Sequence, residues 1–239
     1  MPLNAWAHRA LRRLATYLGV WIFQVQSGVA QRTLPKFANN PKHLIIDLPR
    51  RIINPECIFI GDHVWLGPGS FISAVSHYPS ASLRHPEKEN TIQRFHPVIR
   101  IGNRVTSSGN LIVGAVAEIE IEDDVLLSFN VTILDNLHGY ENADEPYKYQ
   151  PLQRIAPVAI KKGCWIGQNA VILPGVTIGA MSIVGANSVV TQTVPDRCIA
   201  VGAPAQVIKR WSEEARQWIS CPPPKRPEAS IGGKTRRVK

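Results

Sequence analysis

Between residues 44 and 205, aliphatic residues return at six-residue intervals, a spacing that neither a helix of period 3.6 nor a strand of period 2 produces. From Ile160 the chain divides into IKKGCW, IGQNAV, ILPGVT, IGAMSI, VGANSV and VTQTVP. Position one is always Ile or Val: Ile160, Ile166, Ile172, Ile178, Val184 and Val190. Position five is always small or β-branched: Cys164, Ala170, Val176, Ser182, Ser188 and Val194. A fixed period of six predicts a solenoid, with a short strand and a turn from each hexad and three hexads closing one triangular coil. First-position aliphatics should stack inward, and the glycine that follows them should permit the turn at each corner.

The same pattern begins earlier as IGDHVW and LGPGSF, from Ile60 and Leu66, and resumes as IGNRVT at Ile101. Around Val113 to Ile121 its phase slips by two residues before IEDDVL, LSFNVT and ILDNLH continue. Residues 76–97 and 134–157 do not repeat, so both are expected to leave the stack as loops, where solenoids commonly carry function. The second opens with LDNLHGYENADEPYKYQ and contains one histidine, His138.

Three segments follow: an N-terminal helical segment over 1–43, a β-helix over 44–210 and a C-terminal segment over 211–239. In the first, Leu3, Trp6, Ala10, Leu11, Leu14, Tyr17, Leu18, Trp21, Ile22 and Val25 recur every three or four residues and predict an amphipathic helix. Such a helix packs on its own domain or a sister subunit, or else lies on a membrane surface through residues 1–27; no run has the length of a membrane span. In the last, KRWSEEARQWI predicts a short helix, and CPPPKRPEASIGGKTRRVK a disordered basic tail.

Charge narrows the partners. The 239 residues carry 27 Lys and Arg against 18 Asp and Glu, a net +9 that favours anionic ligands. Much of the excess sits at the two ends, and no basic stripe interleaved with aromatics runs through the middle, so nucleic acid is not expected. Cys57, Cys164, Cys198 and Cys221 form no CxxC or Cys/His cluster, as suits a reducing cytoplasm without structural zinc. His63, His77, His85 and His96 do not fall where three imidazoles would converge on a metal, and no GxSxG nucleophile motif occurs.

The stretch PVAIKKGCWIGQNAVILPGVTIGAMSIVGANSVVTQTVPDRCIAVGAPAQVIKR resembles the hexapeptide-repeat acyltransferases, most closely their galactoside and maltose acetyltransferase branch, and LDNLHGY is similar to the sugar and lipopolysaccharide O-acetyltransferases within it. The resemblance covers about two-thirds of the chain. It implies a left-handed parallel β-helix, a homotrimer, and acetyl-CoA as acyl donor lying along a groove between adjacent subunits. A sugar or glycan precursor would be the acceptor, near a histidine that matches His138, and no metal would be needed.

A hydroxyl attacks a thioester only as a base removes its proton, which a neutral imidazole near pH 7 can do. His138 is therefore the expected base in direct transfer. Asp135 and Asn136 either orient its ring or cap the turn leaving the strand. Trp165, Gln168, Ala186, Thr191, Gln192, Gln206 and Lys209 fall where the related enzymes contact CoA. Gln192 and Gln206 stand where that motif usually has lysine and arginine, leaving Lys209, Arg210 and Arg197 as substitute cations. Asn110 matches an acceptor-side asparagine or simply forms a solenoid corner; Tyr140, Tyr147 and Tyr149 are available to stack on a sugar ring. N-acyl transfer to an amino sugar and a non-catalytic scaffold are the competing expectations.

Overall fold

The computed structural model describes residues 5–221 apart from 88 and 90, and the side chains of those residues apart from 5–11, 23 and 27. The tail expected over 222–239, Leu3, and the side chains of Trp6, Ala10 and Leu11 lie outside the described residues.

Three sheets surround one core. Sheet A contains Ile45–Ile46, Trp65–Leu66, Thr106–Ser107, Leu126–Leu127, Trp165–Ile166, Ile183–Val184 and Cys198–Gly202, all parallel. Sheet B contains Arg50–Ile53, Ser70–Ala74, Ile112–Ala115, Thr132–Leu134, Val171–Ile172 and Val189–Val190; sheet C contains Ile58–Ile60, Val98–Ile101, Glu118–Ile121, Val158–Ile160 and Thr177–Ile178. The chain visits A, B and C in turn, one strand each per coil. In sheet A the register stacks Ile46, Leu66, Ser107, Leu127, Ile166, Val184 and Ala200 in one inward row, every one of them buried. All six first-position and all six fifth-position residues of the final hexads are buried as well. Dispersion and burial along these rows hold the stack together, because each coil can hide its aliphatics only against its neighbours.

The phase slip has a structural cause. Strand Ile112–Ala115 runs further than Val171–Ile172, so Ala115 as well as Val113 points inward, Ala115 pairing with the buried Ala74 of the coil before it.

Glycine works differently from expectation. Left-handed backbone at the corners between A and B falls to Asn110, Asn130, Asn169 and Asn187 besides Gly69 and Gly109, and at the corners between C and A to His63, Arg104, Asp124, Met181 and Arg197 besides Gly163. The asparagine side chains form a ladder, Asn130 Nδ2 donating to Asn169 Oδ1 and Asn169 Nδ2 to Asn187 Oδ1, each at 2.9 Å. Gly102 and Gly167, which follow the aliphatic position, are not in the left-handed region. A Cβ there would stand 2.6 Å from the backbone nitrogen of Asp123 or Ala186 in the next coil. Close approach of successive corners, not chain reversal, excludes a side chain at these sites.

One expectation about the ends is corrected. KRWSEEARQWI is not helical: Ala205–Ser212 and Gln217–Ser220 are antiparallel strands that extend sheet A. Trp211 and Trp218 pair across the hairpin with ring centroids 5.5 Å apart. Their seven-residue spacing suits two helical turns equally well, but covering the open edge of sheet A decides the conformation. The N-terminal helix α1 (Ala5–Arg32) forms as expected, yet its described apolar face is not packed on the domain. Leu14, Tyr17, Leu18, Trp21, Ile22 and Val25 are all exposed. Its C-terminal end docks, where Arg50 donates to the Ala30 carbonyl at 2.8 Å and, just past the helix, to Thr33 Oγ1 at 2.9 Å.

Candidate active site

Both insertions leave the stack at the corner between sheets B and C, the first after Ser70–Ala74 and the second after Thr132–Leu134. One coil separates them, and it crosses the same corner through only Val116 and Ala117. Asp135 sits where the second insertion departs. It is fully buried, its backbone nitrogen bonded to Gly114, one register step beyond the Gly114–Leu134 pair. Its carboxylate accepts from the amides of Val116 (2.9 and 3.1 Å) and Ala117 (2.7 Å) and from Asn136 Nδ2 (2.9 Å). Those amides lie at a corner with no strand beside them, and burying them unpaired would cost about 1–3 kcal/mol each. The carboxylate thus serves two amides of the preceding coil, and Asn136 braces it; these bonds lead away from His138 and not to the turn that leaves the Asp135 strand.

His138 lies just beyond. Leu137–His138 pairs antiparallel with Leu152–Gln153, which fixes the backbone while the imidazole remains exposed. Its Nδ1 is 3.2 Å from the hydroxyl of Tyr78, a residue of the first insertion, and the two rings meet edge-on with centroids 5.5 Å apart. Tyr78 is buried with Val116 and Leu152 against Val75, Leu83 and Phe95. No motif in the first insertion marks it, and only the fold brings it to His138.

Tyr78 also lines a cavity of about 330 Å³ between the insertions, together with His85, Glu89, Gln93, Glu145 and Tyr149. The rings of His85 and Tyr149 lie 4.6 Å apart on its wall. Of the three loop tyrosines, Tyr149 alone belongs to this lining. Tyr140 is exposed with the Arg154 guanidinium 5.4 Å from its ring, and Tyr147 is exposed.

Thr191 and Gln192 occupy the same B–C corner two coils further on. Gln192 and Gln206 line one cavity of about 270 Å³ beneath the C-terminal hairpin, and Arg210 lines it too. This supplies a cation beside the two glutamines; Lys209 is on the same strand but not in that lining. The remaining residues lie elsewhere on the chain. Trp165 is on the outer face of sheet A, its indole N–H donating to Ser128 Oγ at 3.0 Å, while Gln168, Ala186 and Asn110 are exposed at A–B corners. Within one chain, Asn110 does not meet His138.

A larger open cavity of about 410 Å³ lies on sheet C among Phe59, Arg100, Glu120, Glu122 and Lys162, away from His138. Two of its carboxylates are engaged by a cation outside the lining: Lys161 bridges Glu120 and Glu122 at 3.2 and 2.8 Å. Hydrogen bonding from Lys161 holds the Glu122 carboxyl below its ordinary range, and the bond from Glu122 raises the Lys161 ammonium. The four histidines considered for a metal are dispersed: His63 occupies a C–A corner, stacked on His43 at 4.6 Å, while His77, His85 and His96 belong to the first insertion.

Comparison with known proteins agrees with this architecture. Residues 157–192 match the family model described as bacterial transferase hexapeptide (six repeats). Over 174 residues the chain is 33% identical to a protein of Mycobacterium tuberculosis named as a probable acetyltransferase, covering 70% of this chain and 57% of that one. It is 33% identical over 120 residues to the galactoside O-acetyltransferase of Escherichia coli, 50% of this chain and 58% of that enzyme. The chain thus spans a little over half the length of these relatives. Among solved structures, a point mutant of the N-acyltransferase AntD from Bacillus cereus, in complex with dTDP and coenzyme A, shares the fold with a TM-score of 0.59 at 22% identity, over 80% of this chain and 91% of that one.

Proposed function

From its place among the hexapeptide-repeat transferases, we propose that this protein is an acetyl-CoA-dependent O-acetyltransferase acting on a hydroxyl of a sugar or glycan precursor. The observation that carries this reading is the shared B–C edge. His138, on the second insertion, stands exposed against Tyr78, which lines the polar, aromatic-walled cavity that the two insertions enclose, and the Gln192, Gln206 and Arg210 cavity follows along the same edge. The first suits a hydroxylated ring and the second a phosphate-bearing donor. His138 takes the hydroxyl proton as the oxygen attacks the thioester carbonyl, and the thiolate of CoA leaves. No acyl-enzyme forms.

Assembly as a trimer of left-handed coils accounts for the residues that one chain keeps apart. Ile45, Trp65, Leu126 and Trp165 lie in register on the outside of sheet A, all of them exposed, a stripe that suits a second copy. Packing that stripe beside the B–C edge of a neighbour brings Trp165, Gln168, Ala186 and Asn110 to its His138. Helix α1 contains no carboxylate and offers its exposed apolar face with Arg12 and Arg13 to an anionic membrane surface on the cytoplasmic side. No described helix is long and apolar enough to cross a membrane.

His138→Ala tests the reading. Turnover of acetyl-CoA with a sugar acceptor should fall by about 10²–10⁴-fold, the usual contribution of a general base. Wild-type turnover from a folded variant would overturn the assignment. A free amine needs less help than a hydroxyl, so a loss of only a few-fold would instead favour N-acyl transfer.

A further inference from the structure

We propose that Tyr78 is a positioning residue that holds neutral His138 as the Nδ1–H tautomer and leaves the Nε2 lone pair as the base. The proposal rests on His138 being the base and adds which nitrogen acts and what selects it.

The argument is a count of hydrogens. A phenol carries one, and the Tyr78 hydroxyl donates it to the Lys148 carbonyl at 2.7 Å, an oxygen that can only accept. At its 3.2 Å contact with Nδ1 the phenol oxygen therefore accepts, and the imidazole nitrogen donates. A neutral imidazole has one N–H, so placing it on Nδ1 leaves Nε2 unprotonated. Burial raises the Tyr78 pKa, which keeps the phenol protonated and the count intact.

Geometry keeps the arrangement in place. The Tyr78 side chain is 5% exposed, and its backbone is tied into the Tyr78–Gln93 pair of the first insertion. Lys148 and His138 both belong to the second insertion, so one hydroxyl bridges the carbonyl and the ring across the two loops. Asp135, three residues before His138, already serves the Val116 and Ala117 amides. Tautomer selection thus comes from a neutral group that adds no charge beside the base. Because Tyr78 also lines the 330 Å³ cavity, the residue that orients the base borders the space assigned to the acceptor.

Selective ¹⁵N labelling of histidine in the full-length protein, at alkaline pH, reads the tautomer directly. The wild type should show a protonated Nδ1 and an unprotonated Nε2. Tyr78→Phe should shift His138 toward Nε2–H and lower kcat by at least about tenfold, within the ~10²–10⁴-fold that a general base supplies, with little change in KM for acetyl-CoA. A proton on Nε2 in the wild type overturns the proposal even if the variant fails to fold. So does a folded Tyr78→Phe with unchanged tautomer and kcat. If His138→Ala keeps full turnover while the wild type shows Nδ1–H, the base assignment fails and the tautomer assignment stands.

Discussion

The side-chain amide of Gln93 pairs with the backbone of Leu152 as another strand would, accepting from its N–H at 2.7 Å and donating to its carbonyl at 3.1 Å. The two residues lie in different insertions, and Leu152 is the backbone partner of His138. Gln93→Ala removes both bonds, each worth about 0.5–1.5 kcal/mol. The Leu152 amide should exchange with deuterium roughly tenfold faster, and kcat should fall while the unfolding midpoint of the stack stays near that of the wild type. Amide exchange resolved by residue, alongside a thermal melt, checks this.

Arg210 is predicted to replace the cations missing at Gln192 and Gln206. A charge-assisted bond to phosphate contributes about 1.5–3 kcal/mol, so Arg210→Ala should raise KM for acetyl-CoA by about tenfold or more and leave kcat nearly unchanged. Steady-state kinetics with acetyl-CoA varied decides it, and an equal loss for Lys209→Ala would contradict the placement.

Gly102→Ala should destabilise the fold although alanine suits most backbone conformations. The added Cβ meets backbone at 2.6 Å, which cannot rotate away, and overpacking of this kind costs about 1–3 kcal/mol. Chemical denaturation reads the change.

Cys164 should be inert in the folded protein. It is buried, its thiol donates to the Gly179 carbonyl at 3.0 Å, and burial pushes its pKa up to about 11. At pH 8 little thiolate exists to react. Burial raises the Cys198 thiol in the same direction. Native alkylation followed by mass spectrometry should label the half-buried Cys57 and Cys221 and leave Cys164 and Cys198 unmodified.

Acid should weaken the outer face of sheet C. Glu122 has a folded pKa below its ordinary 4.5, so the stability it gains from Lys161 is complete above that value and is lost as pH falls through the lowered one. Lys161 is raised above its ordinary 10.5, so the same stability persists below 10.5 and is lost as pH rises through the raised value. Both side chains are about a third exposed, which limits the pair to less than about 1 kcal/mol. The difference in Tm between wild type and Lys161→Met should be constant from above pH 4.5 to below 10.5 and vanish on acidification.

What the sequence makes legible is what repeats. Ile160 and its successors declare the stack because coil after coil places an aliphatic residue at the same inward position, and the insertions stand out where that recurrence lapses. His138 is found through resemblance and lies where loops from two coils converge. Tyr78 escapes notice, since a phenol that serves by meeting a residue sixty positions away leaves no local pattern. The C-terminal hairpin misleads for a related reason. Trp211 and Trp218 are compatible with a helix until the exposed edge of sheet A is in view. Asp135 is ambiguous in the sequence because its partners, the Val116 and Ala117 amides, become adjacent only through the stacking of coils.

The hairpin at Ala205–Ser212 and Gln217–Ser220 has a consequence for how the molecule stays finite. A stack of parallel coils has no intrinsic last member, and its terminal coil would template another chain much as a fibre end does. By reversing direction and laying antiparallel strands over sheet A, the chain presents an edge that the parallel rung of an incoming coil no longer matches. A change of strand polarity thereby marks the C-terminal edge of sheet A.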